Sequence, residues 1–208
     1  MQDLRVTAIQ SELRWEDAEA NRSMFTDKIS GIEGSNLIVL PEMFTTGFSM
    51  RSNELSETMD GTTVNWMREM AASSGAALNG SAIIEESGKY FNRSLFVRPD
   101  GEVEYYDKRH LFRMANEDLH FCEGHERKIV DLNGWKVLLQ VCYDLRFPVF
   151  ARNRQDHHLM IYVANWPAPR TSAWRTLLKA RAMENQSYVI GVNRVGQDGM
   201  EIQYSGAS

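Results

Sequence analysis

The 208-residue chain has only two cysteines, Cys122 and Cys142. That is no disulfide framework, and reduced thiols in a cytoplasmic protein fit it better. No apolar run approaches the length of a membrane span, and no basic segment followed by an apolar stretch opens the chain. A membrane partner and secretion are not expected. The formal net charge is −5, and the short Lys108-Arg109-His110 cluster does not offset it. A nucleic-acid partner, which needs a dense basic patch, is not expected on the same ground. No linker, low-complexity tract or internal repeat is present. No Gly-x-Ser-x-Gly elbow, dinucleotide glycine fingerprint or phosphate loop occurs. His120-Phe121-Cys122-Glu123-Gly124-His125 holds possible metal ligands, but at no standard zinc spacing. His157-His158, before a strand, reads as a solvated pair.

At 43% hydrophobic and 25% charged, the chain has the composition of an ordered domain with a sizeable core. Leu4 to Gln10 alternates like a half-buried strand. Asp17 is a plausible N-cap for a helix reaching about Ile32. Asn36 to Leu40 is a short buried strand. A helix around Val64 to Ser73 ends at Gly75. Strands follow near 77–85, 92–98 and 102–106, the last two joined at Pro99-Asp100-Gly101. Lys128 to Leu132 and Trp135 to Val141 form a hairpin across Asn133-Gly134. A helix near Val149 to Arg154 leads to a strand at 159–163. A longer helix at about 172–185 and a strand at 188–193 complete the pattern. Strands and helices alternate at both ends with hairpins between, so an α/β domain with two mixed sheets packed between helical layers is expected.

Three apolar strands end on reactive side chains. Leu37-Ile38-Val39-Leu40-Pro41 delivers Glu42, Val103 to Asp107 delivers Lys108, and Val137 to Val141 delivers Cys142. In open α/β sheets, ligands bind beyond the carboxyl ends of the strands. Singly, each residue has a plainer reading: a packed thiol for Cys142, solvated charges for Glu42 and Lys108. Together they suit covalent hydrolysis. A thiolate is the nucleophile, and a free thiol is only slightly ionised at neutral pH. Glu42 could take its proton. Lys108 and the backbone N–H of Tyr143 could hold an oxyanion, one such donor being worth roughly 3 kcal/mol.

Pro41-Glu42-Met43-Phe44, Asp107-Lys108-Arg109-His110-Leu111-Phe112 and Val141-Cys142-Tyr143-Asp144-Leu145-Arg146-Phe147-Pro148 resemble the three signature blocks of the nitrilase superfamily of carbon–nitrogen hydrolases. Val163 to Arg170 and Ala180 to Gln186 are similar to its bacterial omega-amidase-like branch. The resemblance implies a four-layer αββα sandwich and a Glu–Lys–Cys triad of Glu42, Lys108 and Cys142. It also implies a second glutamate after the lysine block, for which Glu117 matches better than Glu123. It implies no metal or organic cofactor, a thioester intermediate, a homodimer, and small omega-amido acids such as 2-oxoglutaramate as substrates. N-carbamoyl amines, nitriles, deaminated glutathione, or an inactive binding module are the alternatives.

The far carboxylate of such a substrate needs partners, and Tyr143, Arg146, Asn165, Trp166 and Arg170 are the candidates. For Arg146 a structural salt bridge is preferred over substrate contact, and Trp166 could equally be a packed wall. Relative to the family, residues 1–208 are expected to form one domain without the last strands and tail.

Overall fold

The structure is a computed structural model, and it describes residues 2–208. Its strands are β1 (Val6–Ala8), β2 (Leu37–Val39), β3 (Ala77–Glu86), β4 (Lys89–Val97), β5 (Val103–Asp107), β6 (Ile129–Leu132), β7 (Trp135–Val141), β8 (Leu159–Ala164), β9 (Tyr188–Asn193), β10 (Val195–Gln197) and β11 (Gln203–Ser205). The helices are α1 (Ala18–Ser30), α2 (Ser52–Leu55), α3 (Thr62–Ser74), α4 (Glu117–His120) and α5 (Thr171–Asn185).

β1 to β5 form one sheet in sequence order, parallel at β1-β2-β3 and antiparallel at β3-β4-β5. β6 to β9 form a second, antiparallel at β6-β7 and parallel through β9. The period-two alternation of side chains sorts residues between layers. Leu37 and Val39 of β2 and Phe96 of β4 face the second sheet and join Val137, Leu139 and Ile161. Ile38, Leu40, Leu78 and Leu95 face the other way, against Phe25 and Ile29 of α1 and Val64 and Met67 of α3. Trp174, Leu177 and Leu178 of α5 cover the far side of the second sheet. Each large aliphatic side chain so buried contributes roughly 1.5–3 kcal/mol. The result is the αββα sandwich expected of the sequence.

Local signals act as their chemistry dictates. The Asp17 carboxylate accepts the Ala20 N–H and starts α1. Gly75 ends α3 at φ 67°, a left-handed cap that suits glycine. Asn133 and Gly134 turn the β6–β7 hairpin at φ 54° and 82°.

Three expectations need correction. No helix forms at 149–154; the helical segment is instead a 3₁₀ turn at Cys142–Arg146. Phe147 leaves that turn and Pro148 holds its φ, so the next residues form irregular turns. His157 is not solvated: it is buried, with Nδ1 against Asp156 Oδ1 at 3.1 Å, and burial lowers its pKa. The pattern does not end with the strand at 188–193: an antiparallel ribbon of β10 and β11 follows it.

Candidate active site

The ends of β2, β5 and β7 meet at one edge of the sandwich. Beyond β2, the Phe44 N–H bonds to Ser81 O at 3.0 Å and fixes the loop carrying Glu42. After β5, the Lys108 N–H bonds to Asn92 O at 3.0 Å and its carbonyl accepts the Gly124 N–H at 2.9 Å. Gly124 crosses so close that a Cβ would lie 2.1 Å from Asp107 O, so only glycine fits. Cys142 opens the 3₁₀ turn at φ 43°, an unfavourable conformation for a side-chain-bearing residue. Asp144 secures that turn. Its carboxylate accepts the Val141 N–H at 2.9 Å, the Tyr106 hydroxyl at 2.8 Å and the His110 N–H at 3.0 Å. The β7 terminus and the Lys108 loop are thereby joined.

Glu42, Lys108 and Glu117 are buried together. The Lys108 ammonium donates to Glu42 Oε1 at 2.8 Å and to both oxygens of Glu117 at 2.9 Å. Asn92 Nδ2 donates to Glu42 Oε1 at 2.8 Å and Glu117 Oε1 at 3.1 Å. The Phe112 N–H donates to Glu117 Oε2 at 2.6 Å, and the Asn165 N–H to Glu42 Oε2 at 2.8 Å. An ionised carboxylate offers about four acceptor positions. Those of Glu117 are all taken, whereas Glu42 keeps one, on Oε2.

Electrostatics follow from this packing. Burial opposes the charge on Lys108, but Glu117 and Glu42 outweigh it and raise the ammonium pKa, so it stays protonated. Burial raises the Glu117 carboxyl against the pull of Lys108. Burial also raises the Cys142 thiol, the Glu42 charge adds to this, and Lys108 partly opposes it. Burial therefore opposes the thiolate in this site despite the nearby ammonium.

Of these four side chains only Cys142 lines the adjoining cavity, of about 490 Å³. Its walls include Tyr143, Arg146, Asn165, Trp166 and Arg170. Arg146 lies 5.2 Å from the Trp166 ring centroid and Arg170 5.2 Å from that of Phe112. Among the described residues neither guanidinium has an ion-pair partner, so the preferred salt bridge for Arg146 is absent. Trp166 is buried against Trp174, with its indole N–H on Arg170 O at 2.8 Å, and is also cavity wall. Asn165 ties Glu42 from both backbone and side chain, its Nδ2 donating to Glu42 O at 2.6 Å. Glu123 stands apart, paired with Arg109 at 3.2 Å.

The sequence profile of the family described as carbon-nitrogen hydrolase matches residues 5–208. The chain belongs to the carbon–nitrogen hydrolase family. It is 50% identical to Omega-amidase YafV of Escherichia coli (strain K12) over 208 residues, all of this chain and 81% of the relative. It is 31% identical to 2-oxoglutaramate amidase of Bacillus subtilis (strain 168), over 79% of this chain and 65% of the relative. A solved CN-hydrolase superfamily protein from Xanthomonas campestris, with an arsenic adduct in its active site, superposes with a TM-score of 0.97. That protein is 48% identical, and the match covers 99% of this chain and 81% of the other.

The site of this carbon–nitrogen hydrolase also holds residues the sequence did not single out. Asn92 sits inside β4 and was readable only as a polar residue in a strand. Asp144 lay inside a quoted block, but its partners come from β5, the Lys108 loop and β7. Ile202 and Tyr204 reach the cavity from the ribbon, with the Tyr204 hydroxyl on Asp198 at 2.8 Å.

Proposed function

We propose that this enzyme hydrolyses the terminal amide of small omega-amido acids, such as 2-oxoglutaramate, to the acid and ammonia through a Cys142 thioester. The observation that carries the reading is the Cys142 side chain at a cavity wall, next to a buried carboxylate, Glu42, with one acceptor position that Lys108, Asn92 and the Asn165 N–H leave for it. The S–H proton passes to Glu42 Oε2 as sulfur bonds to the amide carbon and the C=O pair moves onto oxygen. Lys108 and the Tyr143 N–H stabilise that oxyanion. One ammonium N–H becomes available if a single proton spans both Glu117 oxygens. As the oxyanion collapses, the C–N bond breaks and Glu42 returns the proton to the departing nitrogen. Water then attacks the thioester, gives its proton to Glu42, and the acid leaves as the thiol reforms. Transfer by one positioned group in both directions is worth about 10²–10⁴ in rate.

Arg146 and Arg170 support an anionic substrate: two cavity cations without protein counter-ions can take a carboxylate. The relatives named as omega-amidase and 2-oxoglutaramate amidase point the same way. Two free cysteines fit the reducing cytoplasm, and the homodimer rests on the family resemblance alone. The test is ammonia release from 2-oxoglutaramate by the wild type, Cys142→Ala, Arg146→Ala and Arg170→Ala. The cysteine variant should be inactive. The arginine variants should raise KM about tenfold for the anionic amide and leave a neutral amide unchanged. Equal turnover by wild type and Cys142→Ala would refute the mechanism, and preference for a neutral amide, nitrile or N-carbamoyl amine would refute the substrate.

A further inference from the structure

Glu42 and Asn92 belong to a closed circuit of hydrogen bonds. The N–H of Met43, the residue after Glu42, donates to Ser81 Oγ at 2.8 Å. The Ser81 hydroxyl has one proton, and it goes to Asn92 Oδ1 at 2.8 Å. That fixes the Asn92 amide with oxygen toward Ser81 and nitrogen toward the carboxylates. Both Nδ2 protons are then spent, one on Glu42 Oε1 and one on Glu117 Oε1. Asn92 is fully buried and does not line the cavity.

We infer that Asn92 is a positioning residue that decides which oxygen of Glu42 acts as the base. With Lys108 it fills both acceptor positions of Oε1, so the thiol proton can go only to Oε2. Without Asn92, Oε1 regains a vacant position, the carboxylate can turn, and a proton can settle on the oxygen facing Lys108. Ser81 acts one bond further back, by holding the amide the right way round. The inference rests on the reading of Glu42 as the base for Cys142. The titratable groups that face Glu42 are Lys108, Glu117, Cys142 and Tyr204.

The experiment compares wild type, Asn92→Ala, the isosteric Asn92→Asp, and Glu42→Gln. Two pH profiles are recorded: steady-state ammonia release, and alkylation of Cys142 by iodoacetamide, which needs no substrate. In Asn92→Ala, kcat should fall about 100-fold with KM changed less than about threefold. The acidic limb of both profiles should move to higher pH, because the carboxylate has lost a donor to its charged form. Asn92→Asp adds an anion beside Glu42 and should move that limb further. Should Asn92→Ala fail to fold, Asn92→Asp carries the test. A folded variant with an unmoved acidic limb, or with KM rising in step with the loss of kcat, would overturn the inference. If no tested amide is hydrolysed but alkylation still follows Glu42 and Asn92 in this order, the substrate reading fails and the inference stands. If Glu42→Gln keeps the acidic limb of the alkylation profile where the wild type has it, the base reading fails and takes the inference with it.

Discussion

Glu42 and Glu117 are the same residue type, both fully buried, and both bonded to one ammonium. They differ in what surrounds their oxygens. Glu117 accepts from Lys108 on both oxygens, from Asn92 and from the Phe112 N–H, so it has no position left for a proton. Glu42 accepts from Lys108, Asn92 and the Asn165 N–H, so it keeps one. Count of donors, not residue type or burial, separates the two, and it is the ground on which Glu42 rather than Glu117 is proposed as the proton carrier. Glu117 is tied to a wall of the cavity through Phe112, and Glu42 to the strand end at Asn165.

Kinetics should show the largest contrast. Glu42→Gln removes the proposed proton acceptor and should lower kcat about 10³-fold or more. Glu117→Gln leaves the base in place and disturbs only the seat of Lys108, so a loss of about 10- to 100-fold is expected. Equal losses in steady-state ammonia release would break the distinction.

Stability should reverse the order. Glu117→Gln turns an acceptor into a donor facing Lys108 or the Phe112 N–H, leaving a buried group unpaired at a cost of about 2–3 kcal/mol. For a chain of this size that is roughly 5–10 °C in Tm by thermal unfolding. Glu42→Gln, with fewer bonds to lose, should shift Tm less. A larger drop for Glu42→Gln would mean that its fourth position is also structurally filled.

The smallest contrast lies in the thiol. Burial raises the Cys142 pKa first, and the charges of Glu42 and Glu117 raise it further, Glu42 more strongly. Neutralising either carboxylate removes an upward contribution, so the thiolate should appear at lower pH than in the wild type. The shift should be larger for Glu42→Gln than for Glu117→Gln when thiolate absorbance is titrated. Glu42→Gln should thus have more thiolate and less activity. An upward shift would contradict the assigned charges.

Much of this arrangement was legible in the sequence because three apolar strands hand over directly to Glu42, Lys108 and Cys142. Strand hydrophobicity fixes where each strand stops; the parallel β2–β3 pair and the two antiparallel pairs β3–β4 and β4–β5 leave β2 and β5 running the same way, and packing of their side chains on β7 sets the three ends together. Asn92 was not legible, because its partners lie at positions 42, 81 and 117, remote in sequence and assembled only by the fold. The unforeseen 3₁₀ turn at Cys142 has a similar origin. Its left-handed start is held by Asp144 and partners on other elements rather than by local propensity. The ribbon of β10 and β11 escaped notice because two three-residue strands carry too little alternation to be read. His157 looked solvated because its burial depends on the Asn153–Asn185 contact that closes the loop around it.

The central claim is that Cys142 forms an acyl intermediate when Glu42 takes its proton. Its most direct test is rapid-quench mass spectrometry of the wild type and Glu42→Gln mixed with 2-oxoglutaramate, followed by peptide mapping. The account expects a thioester on the Cys142 peptide of the wild type and none in Glu42→Gln. An acyl group on another residue, or equal acylation of Cys142 in both proteins, would contradict it.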